Sequence, residues 1–265
     1  LAPLKIGHSL AENGVTHLDR RLQIYLTNSL EEAKSKKEDQ GTLFWLLESI
    51  TDEARQADEV KRDKPVMIVV GNPPYSVSST NKGEWIQNLL VDYKKWLGEK
   101  KINLDDDYIK FIRFGESLIE KNGEWVLAYI SNNSFIDGIT HRQMRKHLME
   151  TFDSIYILDL HGSAKKKETA LDGSKDENVF DIMQGVSINI FIKNSPLKAL
   201  PKAAKKLAEV HYLDLYGKRN DKYEWLENHS LEDFQQLNPV EPYYFFVPKD
   251  FSENVEYEKG FKVDE

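Results

Sequence analysis

The run "VMIVVGNPPYS", residues 66–76, decides how this chain is read. Five consecutive apolar residues after Pro65 predict a strand over 65–70, of the kind buried on both faces of a parallel sheet. It stops abruptly in Gly71, Asn72, Pro73, Pro74 and Tyr75. Proline fixes φ and removes an N–H, so Pro73 and Pro74 stiffen the loop and leave the carbonyls of Asn72 and Pro73 without neighbouring donors. Gly71 permits a close approach of backbone. The loop therefore offers two rigid acceptors, the Asn72 side-chain oxygen and the Pro73 carbonyl, beside the aromatic face of Tyr75. That set complements a planar group bearing an NH2. Without such a partner, the same four residues are an ordinary proline turn.

Outward from this loop, strands and helices alternate. Toward the N-terminus, a helix is predicted over 2–12, closed by Asn13 and Gly14, then a strand over 22–30 and a helix over 42–60. Toward the C-terminus, a helix over 105–121 with an acidic start is followed by a strand over 124–135, a helix over 141–152 and a strand over 154–162. Late strands are predicted over 185–194 and 208–217, joined by a lysine-rich helical turn after Pro196. This order predicts a three-layer α/β domain with a mostly parallel sheet, whose ligands bind at the carboxyl ends of the strands. Asn72–Tyr75 and Ser131–Asn133 fall at such ends, the latter also suited to cap the segment that follows. Beyond Arg219 the pattern weakens, so residues 1–217 are expected as the main domain and 218–265 as a bridge toward another.

Composition bounds the rest. The chain has 265 residues, 40% of them hydrophobic, enough for a substantial core. It holds no cysteine, which excludes disulfides and thiolate metal sites and suits a reducing, cytoplasmic setting. No apolar run approaches the roughly 20 residues that span a bilayer. The net charge of −8 argues against indiscriminate nucleic-acid binding, yet lysines gather in "SAKKKETALDGSK" (163–175) and "KALPKAAKKLAE" (198–209). Taken alone, each cluster reads first as a solvated loop or helix face, with a local phosphate-binding patch as the alternative.

The Asn72-Pro73-Pro74-Tyr75 loop after an apolar strand resembles the catalytic motif of enzymes that methylate amino groups, above all adenine N6 in DNA. The wider text, "GNPPYS…NKGEWI…DDDYIKFIRF…YISNNSFIDG…HRQMRKHLMETFDSIYILDLHG…KKKET…DGSKDENVFDIMQGVSINIFIK", resembles the methyltransferase region of single-polypeptide (type ISP) restriction-modification enzymes over most of residues 1–217. The resemblance implies a Rossmann-like class I fold dependent on S-adenosylmethionine, double-stranded DNA as partner, and nuclease, helicase and target-recognition domains in the same polypeptide. Asn72 and Pro73 then match the acceptors for the target amine, and Tyr75 the residue stacking on a flipped adenine. Phe180 in "ENVFDI" matches the second aromatic wall, or else is a core phenylalanine. Lys165, Lys166 and Lys167 would lie on the DNA backbone. Asn28 stands where the family carries an acid near the cofactor's adenine. A family member also has a glycine-rich loop after its first strand, and this sequence contains no G-x-G. Residues 1–14 resemble the helix after the second strand, so the expectation is a fragment that is inactive in isolation. Methylation of RNA or of a glutamine amide, and DNA docking without catalysis, are the alternatives.

Overall fold

The computed structural model describes residues 11–14, 23–25, 27–33, 48–75, 79–98, 104–119, 124–170, 172–194 and 206–250. The chain divides into two compact units, Leu1–Pro65 and Val66–Glu265.

In the first unit, residues 11 and 12 are helical and 13 and 14 turn, with Gly14 at φ +83°; residues 2–10 of the expected helix lie outside the described residues. The strand expected over 22–30 is not formed in its described residues. Asn28 overrides it. Its Oδ1 accepts from the Leu30 N–H at 3.1 Å and its carbonyl from Glu31 N–H at 3.3 Å, closing a turn that competes with extended pairing. Helix α1 covers Glu48–Asp63, and its Lys61 Nζ donates to the Asn28 carbonyl at 2.8 Å.

The second unit is built on one six-stranded sheet: β1 (Ile68–Gly71), β2 (Trp125–Asn132), β3 (Ser154–Asp159), β4 (Val186–Lys193), β5 (Glu209–Asp214) and β6 (Gln235–Leu237), in the order β1-β2-β4-β3-β5-β6. β1 pairs parallel with β2, and β3 parallel with β5, whereas β4 runs antiparallel between β2 and β3 and β6 antiparallel on β5. Four strands thus share one direction, and their carboxyl ends share one edge of the sheet. The helices are α2 (Glu84–Leu89), α3 (Val91–Lys94), α4 (Asp107–Ile119), α5 (Ser134–Asp137), α6 (Arg142–Thr151) and α7 (Arg219–Asn228).

Alternation along the strands sends side chains to two cores. Leu127, Ile155, Ile157, Phe191 and Val210 face one cluster with Tyr93, Ile109, Ile112, Met144 and Leu148 from α3, α4 and α6. Leu158, Val186, Ile188 and Leu213 face the other, with Trp225 and Leu226 of α7. Layers on both faces of the sheet follow. Under α4, Glu116 is fully buried, accepting from Tyr93 Oη at 2.8 Å, from Arg113 Nη1 at 3.3 Å and meeting His147 Nδ1 at 2.8 Å. Burial alone would raise this carboxyl. The His147 and Arg113 charges win and hold it at about 2.

One expectation is corrected, and the segment after 218 adds to the sheet. β1 is not buried on both faces: Ile68 is 64% and Val70 74% exposed, because β1 stands at the edge of the described sheet. An apolar run alone does not distinguish an edge from a centre. Residues 219–250, expected as a bridge, form α7 and β6 on the same sheet, and Tyr244 and Phe246 join its main core. Arg145, fully buried, donates to the Tyr243 and Tyr244 carbonyls and so fixes that return.

Candidate active site

Asn72, Pro73, Pro74 and Tyr75 leave the carboxyl end of β1. Gly71 is required there, since a Cβ would come within 2.8 Å of the Tyr129 ring. Pro73 is buried and anchors the loop, whereas Asn72 is exposed. Among the described residues neither the Asn72 amide nor the Pro73 carbonyl has a hydrogen-bond partner. Tyr75 is half-buried, its hydroxyl 3.5 Å from the Ile130 carbonyl, at the limit of a hydrogen bond. Burial pushes its phenol up to about 12, so the ring carries no charge at neutral pH.

Phe180 meets this loop. The Tyr75 and Phe180 ring centroids lie 6.0 Å apart at 56°, within the second core. Phe180 is therefore both things the sequence allowed: a packed phenylalanine and a neighbour of the proline loop. Its segment is shaped by Asn178, whose Oδ1 accepts from Phe180 N–H at 2.8 Å while Nδ2 donates to the Gly162 and Gln184 carbonyls at 3.0 and 2.6 Å. Gly162, at φ +77°, has Asn178 Cα only 2.4 Å from where a Cβ would sit.

Helix α7 grips the same segment from outside. Arg219 Nε donates to the Asn178 carbonyl at 2.8 Å and Nη2 to the Phe180 carbonyl at 3.1 Å and Asp181 at 2.7 Å. Lys222 Nζ donates to the Leu160 and Glu177 carbonyls at 2.8 and 2.7 Å and pairs with Asp176 at 2.9 Å, both side chains fully buried. Tyr223 Oη donates to the Val179 carbonyl at 2.6 Å. Sequence reading missed these three; their signal was the i, i+3, i+4 spacing in "RNDKYEWL".

The Ser131–Asn133 strand end serves structure. Asn132 Oδ1 accepts from Ser134 N–H at 2.8 Å, and Asn133 Nδ2 donates to Asp159 at 2.8 Å. Asp159, His161 and Asp214 bring possible metal-ligand atoms within 4.8 Å of one another. Burial would lower His161, but its bonds to Asp214 and Glu168 and the nearby acids raise it to about 9. The ring is 2.8 Å from Asp214 and stacked on Tyr216, so the carboxylates around it hold the imidazole in place.

The basic loop is exposed. Lys166 reaches Asp137 at 3.7 Å and Glu168 at 3.9 Å, and a bridge between Thr169 and Lys175 closes its tip. Lys167 lines a cleft of about 1020 Å³ with Lys175, Lys218 and Arg219. The lysines of 198–205 lie outside the described residues. Asn28 sits in the first unit with its amide spent on Leu30 and Glu31, at 3.1 Å each.

An exposed amide beside two prolines and an aromatic pair thus stands at the carboxyl end of β1, on a sheet that has counterparts among known proteins. The model of the Eco57I restriction-modification methylase family matches residues 9–165, and the chain belongs to that family. No curated protein sequence matches. Among solved structures, the ATP-dependent type ISP restriction-modification enzyme LlaBIII bound to DNA is 29% identical with a TM-score of 0.67, covering 86% of this chain and 16% of that one. A DrdV–DNA complex is 25% identical with a TM-score of 0.71 over 95% of this chain and 24% of that one. The type ISP enzyme LlaGI, in complex with a DNA substrate mimic, is 21% identical at a TM-score of 0.68 and shares the fold. The chain thus has the class I methyltransferase fold and spans less than a quarter of these relatives' length.

Proposed function

We propose that this chain captures an adenine extruded from double-stranded DNA and directs its exocyclic amine for N6-methylation within a type ISP restriction-modification enzyme. The observation that carries the reading is the exposed Asn72 amide, without a hydrogen-bond partner among the described residues, in the loop that ends at the Tyr75–Phe180 pair. An aromatic amine is a poor nucleophile because its lone pair is delocalised into the ring. Acceptors at Asn72 Oδ1 and the Pro73 carbonyl would engage both N–H groups, draw the nitrogen toward tetrahedral geometry and aim its lone pair outward. Tyr75 would stack on the base, an interaction worth roughly 1–3 kcal/mol, comparable to the few kcal/mol that extrusion costs. The exposed Lys165–Lys167 loop would contact DNA phosphates, and the 218–265 segment would lead toward target recognition. Membership of a methylase family implies S-adenosylmethionine as the methyl donor.

The test is Asn72→Ala in the full-length product of the reading frame that contains this chain, scored as N6-methyladenine in digested DNA. Methyl transfer should fall at least about a hundredfold with little change in DNA affinity, the pattern of a lost transition-state interaction. Near-normal transfer would reduce the loop to a rigid turn, and DNA binding without any transfer by the unaltered protein would favour a docking module.

A further inference from the structure

The part of the chain with the weakest sequence pattern holds the base site in shape. On one face of α7, Arg219, Lys222 and Tyr223 stand at i, i+3 and i+4. Their side chains donate to four successive carbonyls, those of Glu177, Asn178, Val179 and Phe180. Four carbonyls in a row satisfied by one helix face fix the direction of that backbone, and Phe180 is carried at its end. The opposite side of the segment is held through Asn178 and the Gly162 turn. Core packing against Val179 and its neighbours holds the ring from one side, and the carbonyl contacts set the backbone that carries it.

The ring separation gives this clamp a task. A base between two aromatic walls needs two stacking distances, about 7 Å in all at carbon contact. The rings stand 6.0 Å apart and tilted by 56°. Phe180 therefore closes on Tyr75, and its ring must turn as well as move outward when a base enters. How far it yields, and whether it returns to hold the base, depends on the α7 contacts.

We infer that Arg219 and Tyr223 are positioning residues for base capture, setting Phe180 opposite Tyr75 through the 177–180 carbonyls. This rests on the adenine-methyltransferase reading above. Lys222 belongs to the same face, but its buried pair with Asp176 makes it a folding residue first.

The test is a double-mutant cycle in the full-length enzyme, read as single-turnover methylation at saturating cofactor. Tyr223→Phe keeps the ring and removes one donor, so it should fold; the rate on a paired target should fall roughly fivefold, the factor carried by one net hydrogen bond. Arg219→Ala should cost roughly thirtyfold, since its donors are charged. Both losses should shrink to less than about twofold when the target adenine is mispaired and cheaper to extrude. In a Phe180→Ala background, Tyr223→Phe should have no further effect, because the group it positions is gone. Losses that multiply, or a Tyr223→Phe enzyme with unaltered rate, would overturn the clamp. A role confined to stability would lower the midpoint of unfolding and affect paired and mispaired targets alike, which also overturns it. If Asn72→Ala retained methyl transfer, it is the underlying function that would fail, and the two failures are distinguishable.

Discussion

Replacing Tyr75 by alanine tests the base site most directly, because the structure sets what is lost. Base stacking on the ring is worth roughly 1–3 kcal/mol, about 2 at the middle of the range. Before a base can enter, however, the Tyr75–Phe180 contact at 6.0 Å must open, and such pairs are worth about 1 kcal/mol. The net gain from Tyr75 is then about 1 kcal/mol, or about fivefold in base capture, rather than the thirtyfold that stacking alone would give. Tyr75→Phe should be close to neutral, because the hydroxyl lies 3.5 Å from the Ile130 carbonyl and contributes little. Single-turnover methylation on paired and mispaired duplexes measures both variants, with the Tyr75→Ala deficit smaller on the mispaired target. A Tyr75→Phe enzyme as impaired as Tyr75→Ala would refute the stacking argument and assign the role to the hydroxyl. A Tyr75→Ala enzyme at full rate would remove the residue from the site altogether.

Changing Lys165, Lys166 and Lys167 together to alanine should weaken binding to all DNA sequences similarly and reduce the slope of log affinity against log salt; because Lys166 already faces Asp137 and Glu168, the slope should change by about two rather than three phosphates, and an unchanged slope would return the loop to solvent. Calorimetric titration of the 265-residue chain with S-adenosylmethionine should show weak binding and methylation assays negligible turnover; tight binding or robust turnover would refute the expectation drawn from the lack of a G-x-G segment. Glu116, held at about 2 against an unfolded value near 4.5, adds stability that is present above the unfolded value and lost as pH falls through about 2, on the order of 3 kcal/mol. Urea titrations of Glu116→Gln should therefore show a flatter stability profile between pH 5 and 2, and an unaltered profile would refute the coupling. His147, raised by Glu116, works in the opposite sense, its contribution fading as pH rises above its ordinary value.

The sequence was legible wherever apolar residues decide structure. Strands at 125–132, 154–159 and 186–193 and the helices at 107–119 and 142–151 are apolar runs between turn residues, and they formed close to where periodicity put them. The proline loop was legible because proline chemistry is local. The expected strand at 22–30 failed because an alternating apolar pattern gives no warning that Asn28 will bond its own backbone. Helix α7 was read as a bridge because the residues that pack it are Arg219, Lys222 and Tyr223, and hydrophobic patterning is blind to a helix that docks through donors. Phe180 could be matched to the site by resemblance, but its meeting with Tyr75 depends on the Gly162–Asn178 turn, a long-range contact that no local rule reports.

The loop that ends in Tyr75 hangs from β1 like a cantilever. Among the described residues, the four of this strand, Ile68 to Gly71, pair along one side, by the register with Val126–Tyr129 of β2. Twisting of so short an arm moves Asn72, at its free end, by more than it moves the strand itself. A segment laid along the other side of β1 would brace it as a second rail braces a sleeper. Alterations along that outer edge, touching neither DNA nor cofactor, should therefore register as changes in catalytic rate, because they alter how steadily the Asn72 acceptor is aimed.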